Sequence, residues 1–210
     1  EDFNSLPQGD LSKAQAAWVS ETVVLSPLAA EDANGHPREF CLHAGKRLEI
    51  TGEGVEGSET VLKLDVVTSG PPASILAKFP HFRGYTTLQM PTGTAHKLVT
   101  RQHVLAVRSH EGHPVDATSV QLAGMLDDVF AYDGPLGAHV HETGVDLHVW
   151  APTASSVRLL LFPSADSLAS PQEELEMCQE DSGVWSLTGP PKWRGLYYQY
   201  QVTVFCPWTL

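Results

Sequence analysis

Val145-Asp146-Leu147-His148-Val149 alternates apolar and polar side chains, which puts Val145, Leu147 and Val149 on one face of an extended segment. The same period of two recurs on both sides of it. Val61-Leu62-Lys63-Leu64-Asp65-Val66-Val67 places Leu62, Leu64 and Val66 together, and Val157-Arg158-Leu159-Leu160-Leu161-Phe162 and Tyr197-Tyr198-Gln199-Tyr200-Gln201-Val202-Thr203-Val204 behave alike. Val104-Leu105-Ala106-Val107 is a further short strand, closed by the turn sequence Ser109-His110-Glu111-Gly112-His113-Pro114. Seventeen glycines and 15 prolines separate these segments, and short strands at turn spacing point to β-sandwiches. Only Leu11 to Val19 reads as a helical turn or two. A boundary lies near Leu126-Asp127-Asp128, followed by the Gly/Pro connection Tyr132-Asp133-Gly134-Pro135-Leu136-Gly137. The expected architecture is therefore all-β, with consecutive domains at residues 1–125 and 126–210.

The 210 residues carry 25 acidic and 13 basic side chains, a formal charge of −12. Counterion release, the main drive for nucleic-acid binding, needs the opposite sign, so nucleic acid and anionic membrane surfaces are excluded as partners. No apolar run approaches the roughly 20 residues of a membrane-spanning helix, and Glu1-Asp2-Phe3-Asn4 lacks the basic opening of a secretory signal. Cys41, Cys178 and Cys206 are an odd number without C-x-x-C spacing, which excludes a disulfide framework and a thiolate zinc knuckle and fits a reducing compartment.

Metal and catalytic chemistry have few carriers. His139 and His141 stand two apart on an expected strand, and His148 joins them across a hairpin if Glu142-Thr143-Gly144 is its turn. The ordinary reading of these histidines is a solvated sheet face, and no metal site is assigned. His110-Glu111-Gly112-His113 is one residue short of the helical zinc-protease motif. Asp127-Asp128 and Glu173-Glu174 are adjacent pairs, whose side chains diverge in an extended chain. No strand-turn-helix nucleophile motif or phosphate-cradling glycine loop is present. Stacking on sugar rings is the chemistry left to the aromatic residues. Trp150 and Trp185 lie in strand sequence and read as inward and structural, whereas Trp193 and Trp208 lie in loop sequence and are the candidate carbohydrate contacts.

The stretch Leu126-Asp127-Asp128-Val129-Phe130-Ala131-Tyr132-Asp133-Gly134-Pro135-Leu136-Gly137-Ala138 and the strand Val145-Asp146-Leu147-His148-Val149-Trp150-Ala151-Pro152-Thr153-Ala154 resemble the N-terminal region of plant and algal pullulanase-type debranching enzymes, the limit dextrinases. Gly183-Val184-Trp185-Ser186 and Tyr197-Tyr198-x-Tyr200 follow in the family's order, and Trp18-Val19, Lys78-Phe79-Pro80, Val115-Asp116 and Gln121-Leu122 extend the likeness upstream. The resemblance implies two immunoglobulin-like sandwiches, the first of limit-dextrinase type and the second a carbohydrate-binding module lacking its last strand. It also implies a plastid location and a parent activity of α-1,6 branch hydrolysis in starch dextrins. That chemistry belongs to a calcium-binding (β/α)8 barrel outside these 210 residues, so no catalytic residue and no cofactor are expected here. The expected partners are the catalytic barrel and, weakly, α-glucan. The alternative is a purely structural docking module that binds no sugar. The aromatic that glycogen-binding relatives carry after the Val157 to Phe162 strand is replaced by Pro163-Ser164-Ala165-Asp166-Ser167, and their late-strand lysine by Gln199 or Gln201.

Overall fold

The computed structural model describes residues 8–166 and 170–206. The chain divides into two compact units between Val129 and Phe130. The division falls at the end of a short helix, four residues beyond the boundary expected from sequence.

In the first unit the strands are β1 (Ala16–Ser20), β2 (Val23–Ser26), β3 (Glu39–Gly45), β4 (Glu49–Thr51), β5 (Gly54–Glu56), β6 (Thr60–Val67), β7 (Thr86–Gln89), β8 (Gln102–Arg108) and β9 (Pro114–Gln121). The short helices are α1 (Ala73–Lys78), α2 (Thr94–Leu98) and α3 (Ala123–Val129). The ladder runs β1-β2-β7-β6-β3-β8-β9 and closes on itself through a parallel pairing of β9 with β1. Two strands turn the corners. β6 pairs with β3 over Thr60–Leu64 and with β7 over Asp65–Val67. β9 pairs with β8 up to Ser119 and with β1 at Val120 and Gln121. Two sheets that share their edge strands in this way keep the all-β sandwich arrangement while leaving no open edge. β4 and β5 form a separate hairpin, Glu49 opposite Glu56 and Thr51 opposite Gly54.

The helical turns expected at Leu11 to Val19 are not formed; Ala16 to Val19 belong to β1. The reason is burial on both faces. Ala17 and Val19 pack on Leu25, Ile75 of α1 and Phe82, while Trp18 faces His103 edge-on, ring centroids 5.7 Å apart. A strand covered on both sides loses its alternation and reads as a continuous apolar run. α3 lies so close to this strand that a Cβ at Gly124 would sit 2.8 Å from the Val19 Cα, a contact only glycine permits.

The second unit contains β10 (Gly137–His141), β11 (Gly144–Trp150), β12 (Ala154–Phe162), β13 (Glu173–Glu176), β14 (Cys178–Gln179), β15 (Val184–Gly189) and β16 (Tyr197–Val204). One sheet runs β10-β11-β15-β14 and the other β13-β12-β16, all antiparallel. Val145 and Leu147 from the first sheet and Val157, Leu159 and Leu161 from the second meet in the core with Trp185 and Trp193. The Tyr200 hydroxyl crosses between the sheets to donate to the His148 carbonyl at 3.2 Å, and burial, with Tyr198 adding to it, pushes its phenol up to about 12.

His103 is 5% exposed, and its Nε2, like the Trp18 indole nitrogen, has no hydrogen-bond partner among the described residues. Burial holds this imidazole down to about 4, against a weaker upward pull from the Leu98 carbonyl. The neutral ring is therefore the one the fold accepts. Its stabilising contribution is complete above pH 6.5, where the unfolded chain is also neutral, and is lost as pH falls through 6.5 toward 4. Urea unfolding of the first unit should lose about 3 kcal/mol across that window from this one group. A His103→Gln variant, whatever its stability at pH 7, should show a correspondingly flatter dependence over the same range.

Candidate functional site

Period two gives each sheet of the second unit an outer face, and these faces hold its accessible chemistry. On β16 the ladder with β12 pairs Tyr197 with Phe162, Gln199 with Leu160 and Gln201 with Arg158. Tyr198 and Tyr200 face the core side, with ring centroids 5.4 Å apart, so Tyr197, Gln199 and Gln201 face outward. Tyr197 is 53% exposed. Arg158 is fixed at the centre of this face. Its guanidinium hydrogen-bonds Glu174 at 2.6 Å, ion-pairs with Glu176 at 3.1 Å and donates to the Gln201 side-chain oxygen at 3.3 Å. The arginine's charge is thus answered locally, and the row left beside it is a phenol ring followed by two amides. Such a surface offers a flat apolar patch and neutral donors and acceptors, the groups that complement an uncharged polyhydroxylated ligand.

The other outer face carries the histidines. β10 and β11 pair as the hairpin expected from sequence, Gly137 opposite His148 and His141 opposite Gly144, which puts His139, His141 and His148 on the same face. His139 and His141 have separate partners, whereas His148 Nδ1 has no hydrogen-bond partner among the described residues. His139 Nε2 donates to the Leu136 carbonyl at 3.0 Å, and its ring lies 6.2 Å from that of His148. His141 Nδ1 meets the Thr143 hydroxyl at 2.9 Å, while its Nε2 lies 3.3 Å from Asp146 Oδ2. The Thr188 hydroxyl, which donates to Asp146 Oδ1 at 2.7 Å, holds that carboxyl below its usual range, with His141 adding to the effect.

The tryptophans are placed differently from the sequence reading in two cases. Trp185 is inward as expected, 7% exposed, and its indole donates to the Ala151 carbonyl. Trp150 is partly open at 37%, with its N–H donating to the Phe130 carbonyl at 2.8 Å. Trp193 is the clear correction: it ends the 3-10 turn Pro191–Trp193, is 7% exposed and belongs to the core, so its broad face is not offered to solvent. The Pro-Pro and Arg-Gly residues around it mark a turn correctly, but the turn folds inward. Its ring lies flat on the backbone of β15, where a Cβ at Gly189 would meet it at 1.8 Å. Trp208 lies outside the described residues. Tyr197 was not singled out by sequence, although the alternation of the Tyr197–Val204 strand already separates it from the inward tyrosines.

Residues 13–128 match the Pullulanase N2 domain family, and residues 135–209 match Carbohydrate-binding module 48 (Isoamylase N-terminal domain). The chain is 33% identical over 200 residues to pullulanase 1, chloroplastic, of Arabidopsis thaliana, covering 94% of this chain and 20% of that protein. It is 30% identical over 198 residues to a pullulanase of Klebsiella pneumoniae, covering 92% of this chain and 17% of the relative. In structure it is similar to a maltotriose complex of a PulA mutant from Klebsiella pneumoniae, with a TM-score of 0.79 at 28% identity over 97% of this chain and 22% of that one. The chain thus spans about a fifth of the length of the proteins it matches.

Gly189→Ala should destabilise the second unit by about 1–3 kcal/mol or more, because the ring it would strike is itself buried in the core. The loss should appear as a lower second transition in calorimetry, with the first unit unchanged.

Proposed function

The chain belongs to the Pullulanase N2 domain family, and from that premise we propose that it is a non-catalytic accessory region of a starch debranching enzyme. Its second unit makes weak contact with α-glucan through the outer face of β16. The observation that carries the sugar contact is the exposed Tyr197 ring in line with the Gln199 and Gln201 amides. Pyranose rings lie flat on such a phenol, and their hydroxyls both donate to and accept from amides. The parent enzyme hydrolyses α-1,6 branch linkages with residues of its barrel, and the chloroplastic relative supports a plastid location.

A docking role is favoured by a different observation. Between the two sheets, Val140 at 64% exposure and Tyr198 at 39% line an open apolar groove with Val145, Leu161 and Leu196. The catalytic barrel is the natural cover for that side, and the two roles use different surfaces of one module.

A single flat ring without an enclosing pocket supports a dissociation constant of about a millimolar, or roughly −4 kcal/mol. Calorimetric titration with maltoheptaose should find that weak affinity, reduced roughly threefold to tenfold by Tyr197→Ala. The Trp150→Ala variant should bind as the parent does. Low-micromolar binding, or weak binding indifferent to Tyr197, would point to another site. No reducing ends should be released from pullulan, since retaining hydrolysis needs two carboxyls held about 5–5.5 Å apart across the bond.

A further inference from the structure

His110, from the motif one residue short of the protease pattern, has a setting in the first unit that the glucan reading does not use. The β3–β8 ladder pairs Glu39 with Arg108. Because the strands are antiparallel, the chain before Glu39 and the chain after Arg108 emerge side by side, and His36 and His110 stand three and two residues along them. Their rings stack at 4.2 Å with planes 28° apart. Asp32 completes the set: one ligand atom from each of Asp32, His36 and His110 lies within 4.8 Å of the other two.

The carboxylate is positioned from behind. Asp32 Oδ1 accepts the backbone N–H groups of Asn34 at 2.8 Å and His36 at 3.0 Å, which leaves Oδ2 facing His36 Nδ1 at 3.2 Å. The loop carrying both residues is tied to itself by Asp32 N–H to the His36 carbonyl and Arg38 N–H to the Ala30 carbonyl. The His110 turn is fixed likewise, by Gly112 N–H to the Ser109 carbonyl and Ser109 N–H to the His113 carbonyl. Two prefolded turns therefore present two imidazoles and one carboxylate to a common point. Ligand atoms on a tetrahedral ion with bonds of about 2.0–2.1 Å stand roughly 3.3 Å apart, close to the Asp32–His36 separation already formed. Rotation of the exposed His110 ring closes the rest.

We propose that Asp32, His36 and His110 form a binding site for a divalent transition-metal ion, zinc by donor type, that fastens the loop between β2 and β3 to the turn between β8 and β9. Two nitrogens and one oxygen suit zinc and its neighbours and leave a fourth position for water. Calcium and magnesium call for oxygen donors throughout.

The test uses the full 210-residue chain, stripped with a chelator and titrated calorimetrically with zinc chloride. One saturable zinc per chain is expected, with affinity reduced about a hundredfold by His110→Ala and by His36→Ala. The His141→Ala variant, which alters the imidazole beside Asp146, should bind zinc as the parent does. His110 is an exposed turn residue, and circular dichroism of its variant reports whether the fold persists. If that variant is unfolded, His36→Ala carries the same test. Cobalt(II) absorption should appear in the parent and vanish in either variant. No saturable zinc binding up to about 1 mM, binding that survives both substitutions, or binding lost with His141→Ala would overturn the proposal.

Discussion

The second unit is organised around one contact, the Trp193 indole laid on the bare backbone of Gly189. With no side chain at that position of β15, the ring reaches the core between the sheets and joins Val145, Leu147 and Leu161 there. The 3-10 turn that carries it thereby fixes the start of β16, whose first residue follows four positions later. The same contact withdraws the most obvious aromatic from solvent. What the unit offers a ligand is decided by the strand that the turn launches, not by the turn itself.

β16 then divides its residues by simple alternation. Tyr200, turned inward, ties the two sheets through the His148 carbonyl. Tyr197, Gln199 and Gln201, turned outward, share a face with Arg158, whose guanidinium is held by two glutamates of β13. With two carboxylates against one guanidinium, the arginine orders the face without leaving a free positive charge on it, and the phenol and amides beside it remain the groups a neutral ligand would meet. The first unit solves a different problem. Its seven-strand ladder closes at β6 and β9, so that ladder presents no free edge, and the histidine cluster lies in the loops before β3 and after β8.

The strands legible in sequence were those whose side chains alternate, together with β8, whose short apolar run is closed by the Ser109–Pro114 turn sequence. β6, β11 and β16 alternate cleanly and lie where Val61–Val67, Val145–Val149 and Tyr197–Val204 placed them. β1 was misread because its four consecutive buried residues, Ala16 to Val19, erase the alternation. The helices α1, α2 and α3 span six, five and seven residues, too few turns for a helical period to register. Trp193 was misjudged because proline and glycine announce a turn without saying which way it faces. Asp32, His36 and His110 could not have been grouped from sequence at all, since only the β3–β8 register brings residues so far apart in the chain together.

The glucan-contact face is tested most directly by following backbone amide resonances of the isotope-labelled chain as maltoheptaose is added. With maltoheptaose raised to about 10 mM, well above a millimolar dissociation constant, shifts should concentrate in Tyr197 to Gln201 and in the facing residues Arg158 to Phe162 of β12. Shifts confined to the groove beside Val140, shifts in the first unit, or none at all would contradict the assignment of that face.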